Sequence, residues 1–184
     1  MDKSLIAYHG DSDLKAALLR EVARHRESDM LVKGTYGDNN EVEFRACAVG
    51  CSIHSLAKIQ KRTLDTSDHS VLAYELAVPV QLFHIQDAFF EALPEELSQT
   101  WPERFLDAIQ PGSDTSMVIP QFFYWILADP EAGVVNCCEG YERQRNAILK
   151  MSELFKRLID MVPVSDAEWN EASAEAARAT PRSA

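Results

Sequence analysis

No stretch of this 184-residue chain approaches the roughly 20 consecutive apolar residues of a membrane-spanning helix. The opening MDKSLIAYHGDSD lacks the basic start and long apolar run of a signal peptide, so a cytoplasmic protein is expected. P-loop, GxGxxG, GxSxG and HExxH patterns are all missing, which removes the readiest enzyme assignments. Cysteine is scarce. Of the four, Cys137 and Cys138 are adjacent, and a bridge between neighbours is strained, so reduced thiols are expected rather than a disulfide framework. Bases are almost missing from the middle of the chain: residues 66–140 hold twelve acids and one base, Arg104. That segment repels phosphate, which argues against nucleic acid, and attracts a basic protein surface, with Glu91, Glu95 and Glu96 as candidate contacts. The plainer reading is a solvated acidic face that keeps the protein soluble.

What is present reads as helix. Hydrophobic residues make up 46% of the chain, enough to bury a core without staples. Asp11 and Ser12 can cap a helix to about Asp29 with Leu14, Leu18 and Val22 on its apolar stripe. Further helices are expected from Cys47 or Ser52 to Lys61, from Ser67 or Asp68 to Val78, from Pro79 to Pro94, and after Thr100. Pro120 starts or kinks an apolar helix, FFYWIL within it reads as core, and 136–162 is the longest candidate. Ser165 and Glu168 have capping-box spacing. The stretch KGTYGDNNEVEFRA breaks the helical period, with Val42, Phe44 and Ala46 alternating. The expected fold is all-α or mainly α: a single-domain helical bundle of seven to eight helices with a small β-hairpin or loop near residues 33–46. Residues 1–164 form the helical domain and 165–184 a C-terminal helix or frayed tail.

RACAVGCSIHSLAKI, residues 45–59, is the one dense cluster of reactive side chains. If 47–60 are all helical, Val49, Ile53, Leu56 and Ile59 point about 120–240° away from Cys47, while Cys51, His54 and Lys58 lie within about 40° of it. Cys47, Cys51 and His54 then offer three ligands to zinc or iron, with His25, His9, Asp29 or water as a fourth. The C-x₃-C-x₂ spacing also suggests an iron–sulfur radical motif, but His54 replaces its third cysteine and a helical chain of this size lacks the necessary barrel. If instead the helix begins after Gly50, Cys51 sits at its N-terminus as a nucleophile or redox thiol with His54 as base. Ordinary packing is the third reading of the same residues.

His84, Asp87 and Glu91 share a helix face at i, i+3 and i+7, opposite an apolar face, and read as solvated. Gln86 falls inside the apolar arc and needs a hydrogen-bond partner, with the loop at 34–40 as a candidate. The runs GTYG (34–37), CAVGCSIHS (47–55), FEALPEE (90–96) and WPERFLDAI (101–109) resemble a family of small bacterial and phage proteins to which no activity attaches. The resemblance spans about residues 9–127 and implies that GTYG and CAVGC belong to one recurring design. The charge ratio makes a binding or regulatory protein acting on a basic partner the leading expectation. A thiol- or metal-dependent enzyme or sensor centred on Cys47, Cys51 and His54, with the GTYG loop as lid or wall, is the alternative. A helical module forming homo-oligomers through the long helix is the third.

Overall fold

Residues 48–56 read AVGCSIHSL, small or apolar at nearly every position, and such a sequence can be enclosed by neighbours that approach its backbone closely. In the computed structural model, which describes residues 5–28, 30–37 and 44–179, this run is the heart of helix α2 (Ala48–Gln60). Every residue from Ala48 to Leu56 is buried except His54, which is half-buried. Around α2 pack α1 (Ser12–Glu27), α3 (His69–Leu76), α4 (Val80–Ala92) and α6 (Trp101–Ala108), with the single turn α5 (Glu95–Ser98) between the last two. Tyr8, Leu18, Ile53, Leu56, Leu72, Phe83, Phe90 and Leu106 form the core. Tyr8 donates its hydroxyl to the Leu106 carbonyl at 2.8 Å, so its polar end is satisfied inside that core.

The helix boundaries follow local chemistry. Asp11 caps α1 by accepting from Asp13 and Leu14, and Asp68 caps α3 by accepting from Ser70. Pro79 immediately precedes α4 and Pro94 immediately precedes α5. Thr100 makes no capping bond: its hydroxyl donates to the Leu97 carbonyl at 3.3 Å, and Glu103, the other arm of the expected box, pairs with Arg26 of α1.

Of the two forms expected near 33–46, a hairpin or a loop, the described flanks do not show the hairpin. Leu31 and Ala46 form an isolated parallel bridge, with Val32 N–H donating to the Ala46 carbonyl and Ala46 N–H to the Met30 carbonyl. A hairpin pairs its arms antiparallel, whereas this bridge is parallel. Val42 and the rest of 38–43 lie outside the described residues, as does Asp29. Among the described residues there is no sheet, and the all-α fold holds.

The contacts divide the chain into two compact units, Met1–Ser116 and Met117–Ala184. The second unit contains α7 (Val118–Ala128), a 3₁₀ turn (Val134–Cys138), α8 (Glu142–Ile159) and α9 (Asp166–Ala179). The long helix starts at Glu142 rather than Asn136, because Gly140 adopts φ +79° and ends the preceding turn. Phe155 of α8 stacks on Phe123 of α7 at 5.1 Å and meets Trp169 of α9 at 5.0 Å, which ties the three helices together. Of the C-terminal helix or frayed tail expected over 165–184, Asp166–Ala179 forms helix α9, which packs on α8, and Lys150 pairs with Glu171 and Glu175. The Ser165–Glu168 capping box forms with both arms, at 2.9 and 3.4 Å. Helix α7 is less enclosed than its apolar sequence suggests: only Pro120 is fully buried and Trp125 is half exposed.

Candidate active site

Helix α2 begins at Ala48, earlier than Gly50, and this reassigns the two cysteines. Cys47 is the N-cap residue, while Cys51 lies one turn inside. The helix-terminal position expected for Cys51 therefore belongs to Cys47. Cys51 is fully enclosed, its thiol faces the carbonyls of Ala46 (3.4 Å) and Met30 (3.7 Å), and burial pushes it up to about 12. Cys47 is buried and raised to a similar extent, but Cys47 lines a cleft and Cys51 does not.

His54 does not serve Cys51 as a base. Its Nδ1 lies 3.0 Å from Nε2 of His25, whose Nδ1 lies 3.1 Å from the Ser55 hydroxyl. Ser55 donates its own proton to the Cys51 carbonyl, so its oxygen accepts from His25 Nδ1–H. His25 Nε2 then accepts from His54 Nδ1–H, and the three form one relay. Burial above all lowers His25 to about 4, and Lys58 and His54 add to the effect. Burial, followed by Lys58, lowers His54 as well. Cys47, Cys51, His54 and His25 are not gathered into a ligand set: among the described residues no group of three or more Cys, His, Asp or Glu is arranged to hold a metal ion. His9 Nε2 is occupied by the Glu75 carbonyl.

The residues that do converge come from four separate segments. The parallel crossing at 30–46 lays Thr35 and Tyr36 across the start of α2, where Cys47 N–H donates to the Thr35 carbonyl at 2.6 Å. Gly50 makes this possible, since a Cβ there would stand 2.4 Å from the Tyr36 carbonyl oxygen and 2.7 Å from Ala46 Cβ. Gly37 holds φ +78° against Phe44, closing the turn. The loop is pinned to α4 at two points: Tyr36 donates its hydroxyl to Asp87 at 3.0 Å, and both Glu91 oxygens accept from Gly34 N–H at 2.9 and 3.1 Å. Asp87, expected to point to water, is thus largely enclosed.

Asp87 is the hub. His69, placed at the first position of α3 by the Asp68 cap, has Nε2 3.5 Å from Asp87 Oδ2. The His69 ring stacks on His84 at 4.3 Å and meets the Tyr36 ring edge-on at 5.5 Å. Burial pushes the Cys47 thiol up to about 12. The N–H groups of Gly50 and Val49 face the sulfur and pull it back, without closing a well-formed capping bond, while the Asp87 carboxylate beside it raises it further. Burial raises Tyr36 to about 12, and the bond to Asp87 adds to the shift.

A cleft of about 380 Å³ opens here, lined by Gly34, Thr35, Tyr36, Cys47, Asp87 and Glu91. Asp87 Oδ1 and His69 Nε2 are buried polar atoms without a hydrogen-bond partner among the described residues. Both side-chain polar atoms of Gln86 are likewise unpartnered among the described residues, so no bond is made to the described part of the loop, residues 34–37. Its backbone carbonyl accepts from Trp101 Nε1.

Cys47 and residues of GTYG, joined in the sequence reading only as one alternative, line the same cleft, while the grouping of Tyr36 with His69 and Asp87 was not expected. Of the three acids expected to face a partner, Glu91 instead holds the loop, Glu95 accepts from Gln99, and Glu96 is exposed. No helix among the described residues is long and apolar enough to cross a membrane. No protein-family model, curated protein or solved structure matches the chain, so the likeness carried by GTYG and CAVGC rests on those residues alone.

Proposed function

We propose that the chain is a thiol-dependent acyl-transfer enzyme acting on a small substrate held in the cleft, with Cys47 as nucleophile. The observation that supports this is a thiol at the start of a buried helix with a carboxylate–imidazole pair beside it. The raised thiol is protonated at rest, so its proton leaves during attack rather than before it. Sγ adds to the acyl carbon as Asp87 takes the thiol proton, and charge on the carbonyl oxygen meets the N–H groups in the first turn of α2. The leaving group departs with that proton. Water, deprotonated by the same carboxylate, then attacks the thioester, releasing the carboxylic acid and restoring the thiol. Tyr36 holds Asp87 through its hydroxyl and is a positioning residue, with His69 Nε2 3.5 Å from the same carboxylate.

The expected outcome with an activated aryl ester is a burst of phenolate followed by slow turnover. Cys47→Ala abolishes the burst, and Asp87→Asn slows it by about 10²–10³, the range of a lost general base. Retention of the burst in Cys47→Ala contradicts the assignment.

A basic partner is a second reading, favoured by the exposure of Glu95 and Glu96. It stands behind the first because five of the middle segment's twelve acids are engaged within the protein: Glu75 with Arg62, Glu103 with Arg26, Asp107 with Lys15, and Asp87 and Glu91 with the loop. Salt-sensitive capture of a basic protein, lost when Glu95 and Glu96 are reversed to Lys, is its expected signature.

A further inference from the structure

The charge of the cleft reaches beyond the reaction to the substrate. Two carboxylates line it, Asp87 and Glu91, and none of its six lining residues is Lys or Arg. Tyr36, in the wall between them, is influenced by Asp87, Cys47 and Glu91, all in the same direction. Asp87 Oδ1 is buried without a partner among the described residues. A carboxylate-bearing acyl group entering this space would meet like charge on two sides, whereas a cation would meet opposite charge.

The two acids are also separated in function. Asp87 shares the cleft wall with Cys47 and takes the thiol proton in the proposed reaction. Glu91 is one helical turn further along α4, about 6 Å away at 1.5 Å per residue. Its carboxylate is fixed by Gly34 N–H, so it presents charge from a set position rather than from a mobile side chain.

Resting on the acyl-transfer reading, the geometry points to a substrate whose acyl group carries a positive charge several bonds from the reacting carbonyl, with Glu91 as the residue that selects it. The one-turn offset of Glu91 from Asp87 along α4 places that charge away from the carboxylate that takes the thiol proton. Shorter cationic acyl groups leave their charge near Asp87, where it competes with proton transfer.

The test uses three p-nitrophenyl esters on the full chain: γ-trimethylammoniobutyrate, its uncharged tert-butyl isostere, and γ-sulfobutyrate. Initial rates and intact mass report acylation of Cys47. The expected order is cationic over neutral over anionic, by about tenfold at each step in low salt, narrowing as ionic strength rises. Glu91→Gln retains an acceptor for Gly34 N–H while removing the charge, and is expected to shrink the spread to about threefold or less. Equal rates for the three esters, with Cys47 acylated by all, overturn the charge selection and leave the acyl-transfer reading intact. A preference that survives Glu91→Gln overturns the role of Glu91. Acylation of Cys47 by none of the esters overturns the acyl-transfer reading, and this inference with it.

Discussion

Gly50 decides whether the loop and the thiol can share one site. A helix interior ordinarily gains about 1 kcal/mol when glycine becomes alanine. Here the added Cβ would meet a backbone oxygen at 2.4 Å, and backbone cannot swing aside as a long side chain can. Gly50→Ala is therefore expected to destabilise by about 1–3 kcal/mol in urea denaturation, the usual range for overpacking. Unchanged or increased stability would show that the loop does not lie on α2.

The relay of Ser55, His25 and His54 makes a separate residue-scale prediction. An unfolded histidine binds its proton near 6.5, whereas folded His25 does so near 4, so the unfolded chain binds more protons between these limits. Stability from keeping His25 neutral is whole above about pH 6.5 and falls as pH drops toward 4, by up to about 3 kcal/mol. His25→Gln is expected to flatten that part of the stability profile relative to the parent protein. Parallel profiles would show that His25 titrates normally.

Between elements, the contact that shapes the site is the docking of GTYG onto α4. Tyr36 and Asp87 close it on one side, and Gly34 and Glu91 on the other. A double-mutant cycle of Tyr36→Phe and Asp87→Asn is expected to give a coupling of about 1–2 kcal/mol, as befits a hydrogen bond to a carboxylate. Additive effects would mean that the two side chains act independently.

Helix starts were legible because caps are local: Asp11, Asp68, Pro79 and the Ser165–Glu168 box act within a few residues of themselves. The burial of α2 was not. A stripe of thiols opposite an aliphatic face implies a solvent-facing side only when the helix has one, and Ser52, Ser55, Cys47 and Cys51 are all buried. The grouping of Tyr36, His69 and Asp87 was hidden for a related reason. It is made by three segments whose separation in sequence leaves no periodic signal, and Asp87 taken alone looks like a solvated position on an amphipathic helix. Cys47 and the two glycines of GTYG were visible because a broken helical period stands out in this sequence.

At the scale of the whole molecule, every residue of the proposed site belongs to the unit formed by Met1–Ser116. The second unit holds together through Phe155, Phe123 and Trp169, none of which lines the cleft. Phe123→Ala is expected to weaken the second unit by about 1–3 kcal/mol, seen as faster amide exchange across α7 and α8, while Cys47 acylation proceeds at the parent rate. An equal loss of acylation would show that the site depends on both units.

The central claim is that Cys47, rather than another thiol, carries the acyl group. Cys137 is exposed, and Cys51 is enclosed within the same helix as the site, so the chain contains its own controls. The decisive measurement is peptide mapping by mass spectrometry after an acid quench of the reaction with the cationic ester. The account predicts the acyl mass on the peptide bearing Cys47, with fragmentation placing it there and not on Cys51, and its loss in Asp87→Asn at the same time point. Acylation confined to Cys137, with Cys47 unmodified, would contradict it.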